Sequence, residues 1–280
     1  MELFRALGSL AERPGPAHER IAAALDLPGR PDAAEYTALF GLQLYPYASV
    51  YLGTEGMLGG EARDRVAGFW SAIGEMPPSE PDHLTVLLAQ LATIAEREEL
   101  VDDIAGKRIL RHARAAFFWE HLGSWVFTWL ARAVEIASPF YRAWAETLGD
   151  ALIAQAETLG PAFEMPMHLR AVPELPDPAT ASAADLIGAL LAPVRSGLIL
   201  TRGDLARIAA DIGAGARMND RRSALSRMLE EAPVAAFSHL ADEARRQAAT
   251  LARGPDVLGE VRAFWVRRAE TTALALSHWL

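Results

Sequence analysis

Residues 36–88 read YTALFGLQLYPYASVYLGTEGMLGGEARDRVAGFWSAIGEMPPSEPDHLTVLL, and the interpretation of the whole chain starts from this stretch. Tyrosine rings combine an apolar face with a polar tip, which favours them at binding surfaces. A helical core also needs aromatic residues, but a loop this rich in tyrosine beside a proline is less easily explained by a core. We therefore interpret the stretch as the wall of a peptide-binding site. Its aromatic run consists of Tyr36, Phe40, Tyr45, Tyr47 and Tyr51.

Within this stretch the pattern predicts short helices separated by one long loop. Residues 33–40 are predicted as a helix with Asp32 as its cap, and residues 41–60 as a loop in which only 49–52 suggest a strand. Residues 61–73 form an amphipathic pattern. Pro81 then stands where a first-turn proline is tolerated, so a helix is predicted to begin there and to run to about Glu99.

The rest of the chain shows helical periodicity and almost no strand pattern. One apolar seam repeats at spacings of 4, 3 and 4 residues, which predicts one long helix over 105–137, or two helices with a bend at Gly123. The sequence therefore predicts an all-α protein, a multi-helix bundle with a C-terminal helical extension. The seam consists of Phe118, Leu122, Trp125 and Trp129.

A run of prolines marks the main boundary in composition. Proline fixes φ and removes a backbone donor, so these residues predict an extended connector. The predicted organisation is a helical domain over 1–160, a proline-rich connector over 161–181 and a helical extension over 182–280. Beyond the connector, Thr201 and Asp204 resemble a helix capping pair. The prolines are Pro161, Pro166, Pro173, Pro176 and Pro178.

Composition excludes several classes of function. The 280 residues include no cysteine, which excludes disulfides, thiolate metal sites and a cysteine nucleophile. The net charge of −9 argues against general nucleic-acid binding. We find no phosphate-binding glycine loop, no HExxH and no GxSxG, so neither catalysis nor a cofactor is predicted. No export signal is visible, and residues 113–137 are interrupted by charged residues, so we expect a cytoplasmic protein without membrane insertion.

Four polar features have competing interpretations. Asp82-His83 is either a helix cap beside a partly buried histidine or a proton relay or metal site. Glu120-His121 lies in the most apolar helix, where a polar helix contact is the simpler explanation. The acidic run 96–103 either attracts a basic peptide or is a solvated helix end. Residues 201–231 resemble a helix-turn-helix, which makes a DNA-binding regulator the alternative function. Its arginines are Arg217, Arg221, Arg222 and Arg227.

Several motifs occur in an order that resembles a known family. They are EYTALF at 35–40, PYASVYLG at 46–53, EPDHL at 80–84, and a helix FFWEHLGSWVFTWLARAV at 117–134 followed by SPFYRAWAETL at 138–148. Together they resemble the TorD/DmsD family of cytoplasmic chaperones that mature redox enzymes. The resemblance covers about residues 36–159, and the segment at 193–209 looks like an extension found in some members.

The resemblance implies a TorD-like all-helical fold without catalysis. It implies binding of the twin-arginine signal peptide, and often the body, of an apo molybdopterin oxidoreductase, which is held back from export until its cofactor is inserted. The identity of this client, and the choice between monomer and swapped homodimer, stay open.

Peptide-binding positions carry over from the family motifs. By motif these positions are Leu39, Phe40, Pro46, Tyr47, Ser49, Asp82 and His83. Local chemistry adds Tyr51 and Trp70. An Arg pair followed by an apolar run needs carboxylates as well as an apolar groove, and Glu80 and Asp82 are candidates for the carboxylates. The region before residue 35 is shorter than the family pattern, so we expect the C-terminal extension to build part of the groove.

Overall fold

The computed structural model describes residues 1–177, 180–214 and 220–278, and its fold is all-α as predicted. Within these ranges there is no β-strand, only an isolated antiparallel bridge between Tyr47 and His83. In chain order the helices are α1 Glu2–Ser9, α2 Pro16–Ala24, α3 Ala33–Tyr36, α4 Ala48–Leu52, α5 Gly60–Ala72, α6 Leu84–Leu100, α7 Ile104–Phe117, α8 Ser124–Ile136, α9 Pro139–Leu159, α10 Met167–Arg170, α11 Ala183–Leu190, α12 Pro193–Ser196, α13 Arg202–Asp211, α14 Arg221–Glu231, α15 Pro233–Ala252 and α16 Gly259–Ser277.

Tryptophans of α8 and α9 form the centre of the first core. Trp125, Trp129 and Trp144 are fully buried. Phe40 inserts between them, with its ring stacked on Trp129 at a centroid distance of 6.0 Å and edge-on to Trp144 at 5.5 Å. The predicted seam of aromatic and leucine residues is therefore buried, and burial of rings of this size contributes much of the stability of a helical core.

Two π-helical turns interrupt the predicted helices. Residues Thr37–Gly41 continue α3, and residues Phe118–Gly123 join α7 to α8. The long predicted helix is therefore continuous from Ile104 to Ile136, and a π-turn that ends at Gly123 stands where a bend was the alternative. A Cβ atom on Gly123 would lie 3.0 Å from Trp119 Cε3 and 3.3 Å from the carbonyl oxygen of Phe118. Glycine is thus required where the π-turn ends.

Two predictions around the stretch 36–88 are wrong. Residues 48–52 are neither loop nor strand but the short helix α4, all of whose residues are buried. Helix α6 begins at Leu84 and not at Pro81, with His83 as its N-cap residue and His83 Nδ1 accepting a hydrogen bond from Thr85 N at 3.2 Å. The first error arises because the partner that caps α4 is Asp82, which lies far away in sequence.

The C-terminal helices form a second cluster of buried residues and also complete the first. α15 and α16 pack side by side, and α11, α13 and α14 cover them. Val261, Phe264 and Trp265 of α16 belong to the first core, where Trp265 Nε1 donates to the carbonyl oxygen of Ser124 at 2.9 Å. Gly197, with φ of 72°, lies so close to α16 that a Cβ would be 2.3 Å from Ala269 N.

In its described residues, 161–177 and 180–181, the connector contains one short helix, α10, and otherwise no regular structure. Thr201 and Asp204 form the predicted capping box at the start of α13. Pro178 of the predicted connector, Arg217 of the predicted helix-turn-helix and the last two residues of the predicted extension lie outside the described residues. The division into 1–160, 161–181 and 182–280 stays a prediction. In the described part of the chain, every helix is too short or too polar to span a membrane.

Candidate functional site

The Pro46–Ser49 turn and the Asp82-His83 step are joined by three hydrogen bonds. Leu84 N donates to the carbonyl oxygen of Pro46 at 2.8 Å, and Ala48 N donates to that of Asp82 at 3.0 Å. The Asp82 carboxylate accepts from Ser49 N at 3.0 Å and so caps the N-terminus of α4. Since Asp82 is only 2% exposed, its side chain acts inside the protein in this structure.

Tyr47 is the one member of the predicted set with a partly exposed side chain. Its hydroxyl donates to Glu80 Oε2 at 3.0 Å, and its ring lies edge-on to His83 with a centroid distance of 4.7 Å. Burial and the bond to Glu80 raise the pKa of Tyr47 to about 12, and burial lowers the pKa of His83. At neutral pH this small patch therefore presents a neutral aromatic pair beside the exposed carboxylate of Glu80.

The other predicted side chains face the core. Tyr51 stacks on Trp125 at 5.3 Å, and its hydroxyl donates to the carbonyl oxygen of Tyr45 at 2.8 Å. Trp70 packs edge-on against Phe117 at 5.8 Å. Ser49 is fully buried, and its Oγ accepts from Gly59 N at 3.1 Å. The structure thus brings Pro46, Tyr47, Ser49, Asp82 and His83 together, and peptide binding by the nine residues stays a prediction.

A cavity of about 740 Å³ lies between the α3 π-turn, the end of α8 and the C-terminal helices α13 and α15. Its apolar wall includes Ala38, Leu39, Ile136 and Ala137, and Leu39 is the only member of the predicted set among its lining residues. Five carboxylates and two arginines line the rest. The carboxylates are Glu35, Glu135, Asp204, Asp242 and Glu243, and the arginines are Arg207 and Arg246.

A buried ion network forms the floor of this cavity. Arg132 of α8 is 3% exposed and pairs with Asp204 of α13 at 2.6 Å and with Glu243 of α15 at 3.8 Å. Burial alone would raise the pKa of Glu243, but hydrogen bonds from Arg246 and Gln247 and the charge of Arg132 hold this pKa below its usual value. Glu243 therefore stays ionised at neutral pH, and the network ties the C-terminal helices to α8.

Two carboxylates at the rim of the cavity are more accessible. Glu35 accepts a hydrogen bond from the Ser138 hydroxyl at 2.7 Å, and Asp242 pairs with Arg245 at 2.7 Å with a side chain that is 69% exposed. An apolar wall beside accessible carboxylates can hold a peptide that carries both apolar and basic side chains. The sequence did not indicate this cavity because its residues come from four separate segments, 35–43, 135–138, 201–207 and 239–246.

The other polar residues that the sequence singled out make contacts within the protein. Glu96 pairs with Arg5 at 2.9 Å and Glu98 with Arg114 at 3.2 Å, so two acids of the run 96–103 already form ion pairs within the protein. Glu120 Oε2 accepts from Met167 N at 2.7 Å, which attaches α10 to the π-turn. Among the described residues, no three of His, Cys, Asp or Glu are placed to hold a metal ion.

The predicted helix-turn-helix arginines also make internal contacts. Arg221 donates to the carbonyl oxygen of Leu200 at 3.1 Å, and Arg222 to that of Ala184 at 3.3 Å. Arg227 lies 3.9 Å from Glu231. These contacts attach α14 to its neighbours, and none of them favours DNA binding.

Comparison with known proteins found a family model that matches part of the chain. Residues 11–131 match the family model described as nitrate reductase delta subunit, and this match runs from the end of α1 into α8. Neither the curated proteins nor the solved structures gave a match. The family consists of chaperones that bind the catalytic subunits of molybdoenzymes. The resemblance found in the sequence is confirmed: residues 11–131 carry the signature of a TorD-like family of molybdoenzyme chaperones, that of the nitrate reductase delta subunit.

Proposed function

We propose that this protein holds the N-terminal twin-arginine peptide of an apo molybdopterin oxidoreductase in the acidic cavity. It keeps the catalytic subunit in the cytoplasm until the cofactor has been inserted. The observation that carries this proposal is the cavity of about 740 Å³, in which the accessible carboxylates of Glu35 and Asp242 lie beside an apolar wall. The family match supports the class of client.

The chemistry of the cavity fits the chemistry of such a peptide. A twin-arginine signal contains two guanidinium groups followed by a moderately apolar, helix-prone run. Glu35 and Asp242 at the rim offer carboxylates to the guanidinium groups, with charge-assisted hydrogen bonds. Leu39, Ile136 and Ala137 offer the apolar surface for the run that follows. Since the lining comes from both parts of the chain, the C-terminal extension contributes to the groove in this proposal.

The nine predicted residues take two roles in this proposal. Leu39 contacts the peptide from the cavity wall, and Tyr47 offers a second contact at the surface beside Glu80. The other seven residues are buried, and they position Leu39 and Tyr47 by packing around the π-turn and α4. They are Phe40, Pro46, Ser49, Tyr51, Trp70, Asp82 and His83.

The first experiment identifies the client and then measures its peptide. A molybdoenzyme catalytic subunit that co-purifies from the native cytoplasm supplies the N-terminal sequence, and calorimetry with that peptide gives its affinity. Glu35→Lys and Asp242→Lys each place a positive charge at the rim. We expect each to weaken binding about tenfold or more, since a hydrogen bond to a charged group contributes roughly 1.5–3 kcal/mol.

Glu157→Lys is the matched control, because Glu157 is an exposed acid on α9 and does not line the cavity. It changes the net charge by the same amount and should leave the affinity unchanged. Equal affinities for wild type and both rim variants would refute peptide binding in this cavity. Equal weakening by all three variants would show only a nonspecific effect of net charge.

A further inference from the structure

A second, apolar groove lies beside α8 and has a lining that shares no residue with the acidic cavity. It has a volume of about 250 Å³ and lies between α8, α9 and the turn that joins α15 to α16. Apolar side chains form its walls, among them Phe127, Val134, Ile153 and Leu251. This volume is below the usual range for drug-sized ligands and suits a few side chains of a partner.

A glycine in the middle of α9 keeps part of this groove open. Glycine destabilises a helix interior relative to alanine, so a glycine at such a position needs a reason. Gly149 has no positive φ, and a Cβ built on it would contact only Leu130 Cδ1 at an ordinary 3.9 Å. Neither the backbone nor the packing of this chain requires the glycine. The space above it is therefore available to another molecule.

The rim of the groove is acidic on the α9 side. Glu146 and Asp150 are exposed, lie four residues apart on one face of α9, and line the groove. In the described ranges neither carboxylate has an ion-pair partner. Arg262 on the other side already binds the carbonyl oxygen of Gly254 and pairs with Asp256 at 3.0 Å. The open charge at the rim thus complements a basic partner.

The walls determine which backbone conformation can enter. They consist mainly of helices, whose backbone N–H and C=O groups are already paired within each helix. An extended peptide in this groove would leave its own backbone groups without partners, which is costly in an apolar site. A helix satisfies its own backbone and presents side chains at spacings of 3, 4 and 7 residues. The groove therefore favours a helical partner.

We propose that this groove docks an amphipathic helix from the body of the catalytic subunit, with apolar side chains on Gly149 and lysine or arginine opposite Glu146 and Asp150. This site rests on the proposed function, because the client class comes from it. It is distinct from the cavity that takes the N-terminal peptide, so the chaperone contacts its client at two places.

The test separates the two contacts by using two probes. One probe is the N-terminal peptide of the co-purifying catalytic subunit, and the other is the same apo subunit without that peptide. Gly149→Trp fills the groove, and Gly149→Ala is its control because the Cβ has room. We expect Gly149→Trp to weaken binding of the truncated subunit at least tenfold and to leave peptide affinity unchanged. Gly149→Ala should bind both probes as the wild type does.

The double variant Glu146→Lys/Asp150→Lys tests the same groove without filling it. It should also weaken binding of the truncated subunit at least tenfold, and it decides the test if Gly149→Trp fails to fold. The inference is overturned if the wild type does not bind the truncated subunit, or if these variants bind it as the wild type does. Failure of the wild type to bind the peptide refutes the proposed function instead.

Discussion

Asp82, which the sequence predicts to bind a peptide, lies inside the protein and caps a helix. Its carboxylate accepts from Ser49 N at 3.0 Å and its carbonyl oxygen from Ala48 N at 3.0 Å, so one residue satisfies two of the free donors at the start of α4. The sequence grouped Asp82 with the Pro46–Ser49 turn, and the structure brings the two together. It did not show which backbone the carboxylate would bind.

We expect Asp82→Ala to lower the free energy of unfolding by about 1–2 kcal/mol, because a helix cap and a buried acceptor are lost. Urea denaturation followed by circular dichroism measures this loss. Asp82→Asn keeps an oxygen that can accept from Ser49 N and should lose much less. If the alanine and asparagine variants unfold at the wild-type midpoint, the cap does not stabilise α4.

At the scale of the helices, periodicity predicted the long elements and missed the irregular ones. Leu84, Leu87, Leu88 and Leu91 of α6 are all fully buried, as their spacing required. The π-turns were missed because one extra residue within a helix leaves the apolar pattern almost unchanged. The acidic cavity was missed because four segments far apart in the sequence meet there.

Substitution by alanine should destabilise the protein at Gly123 and stabilise it at Gly68. A Cβ on Gly123 would press against Trp119 and the Phe118 carbonyl at 3.0 and 3.3 Å, so Gly123→Ala should destabilise the protein by about 1–3 kcal/mol. Gly68, inside α5, has nothing within 4 Å of its Cβ position. Gly68→Ala should therefore stabilise by about 0.4–1 kcal/mol. Thermal unfolding measures both effects: the midpoint should fall for Gly123→Ala and rise for Gly68→Ala. The opposite change in either variant would contradict the prediction.

At the scale of the whole molecule, two buried histidines connect stability to pH. The rings of His121 on the π-turn and His168 on α10 lie 5.9 Å apart. Among the residues that the structure describes, buried His121 Nδ1 and His168 Nε2 have no hydrogen-bond partner. Burial and the neighbouring His168 lower the pKa of His121 to about 3. Burial and Arg65 lower the pKa of His168 to about 4. Both rings are neutral in the folded protein near neutral pH.

Stability should therefore fall as the pH drops below 6.5. In that range the unfolded chain binds a proton at each histidine and the folded chain does not, so unfolding is favoured by up to about 1.4 kcal/mol per histidine per pH unit. Above 6.5 neither state binds a proton at these histidines, so this penalty is absent and they no longer make stability depend on pH. Urea titrations at pH 7, 6 and 5 measure the slope, and His121→Phe should reduce it. An identical slope in that variant would assign the dependence to other groups.

The first core depends on residues from both ends of the sequence. Leu7 and Leu10 of the first turns are buried in the same cluster as Val261, Phe264 and Trp265 of the last helix. Most proteins fold from the N-terminus while the ribosome is still adding residues. Here the growing chain cannot close its first core until α16 has been translated. The helices α1 and α8 must thus wait for α16 before the core that they share is complete.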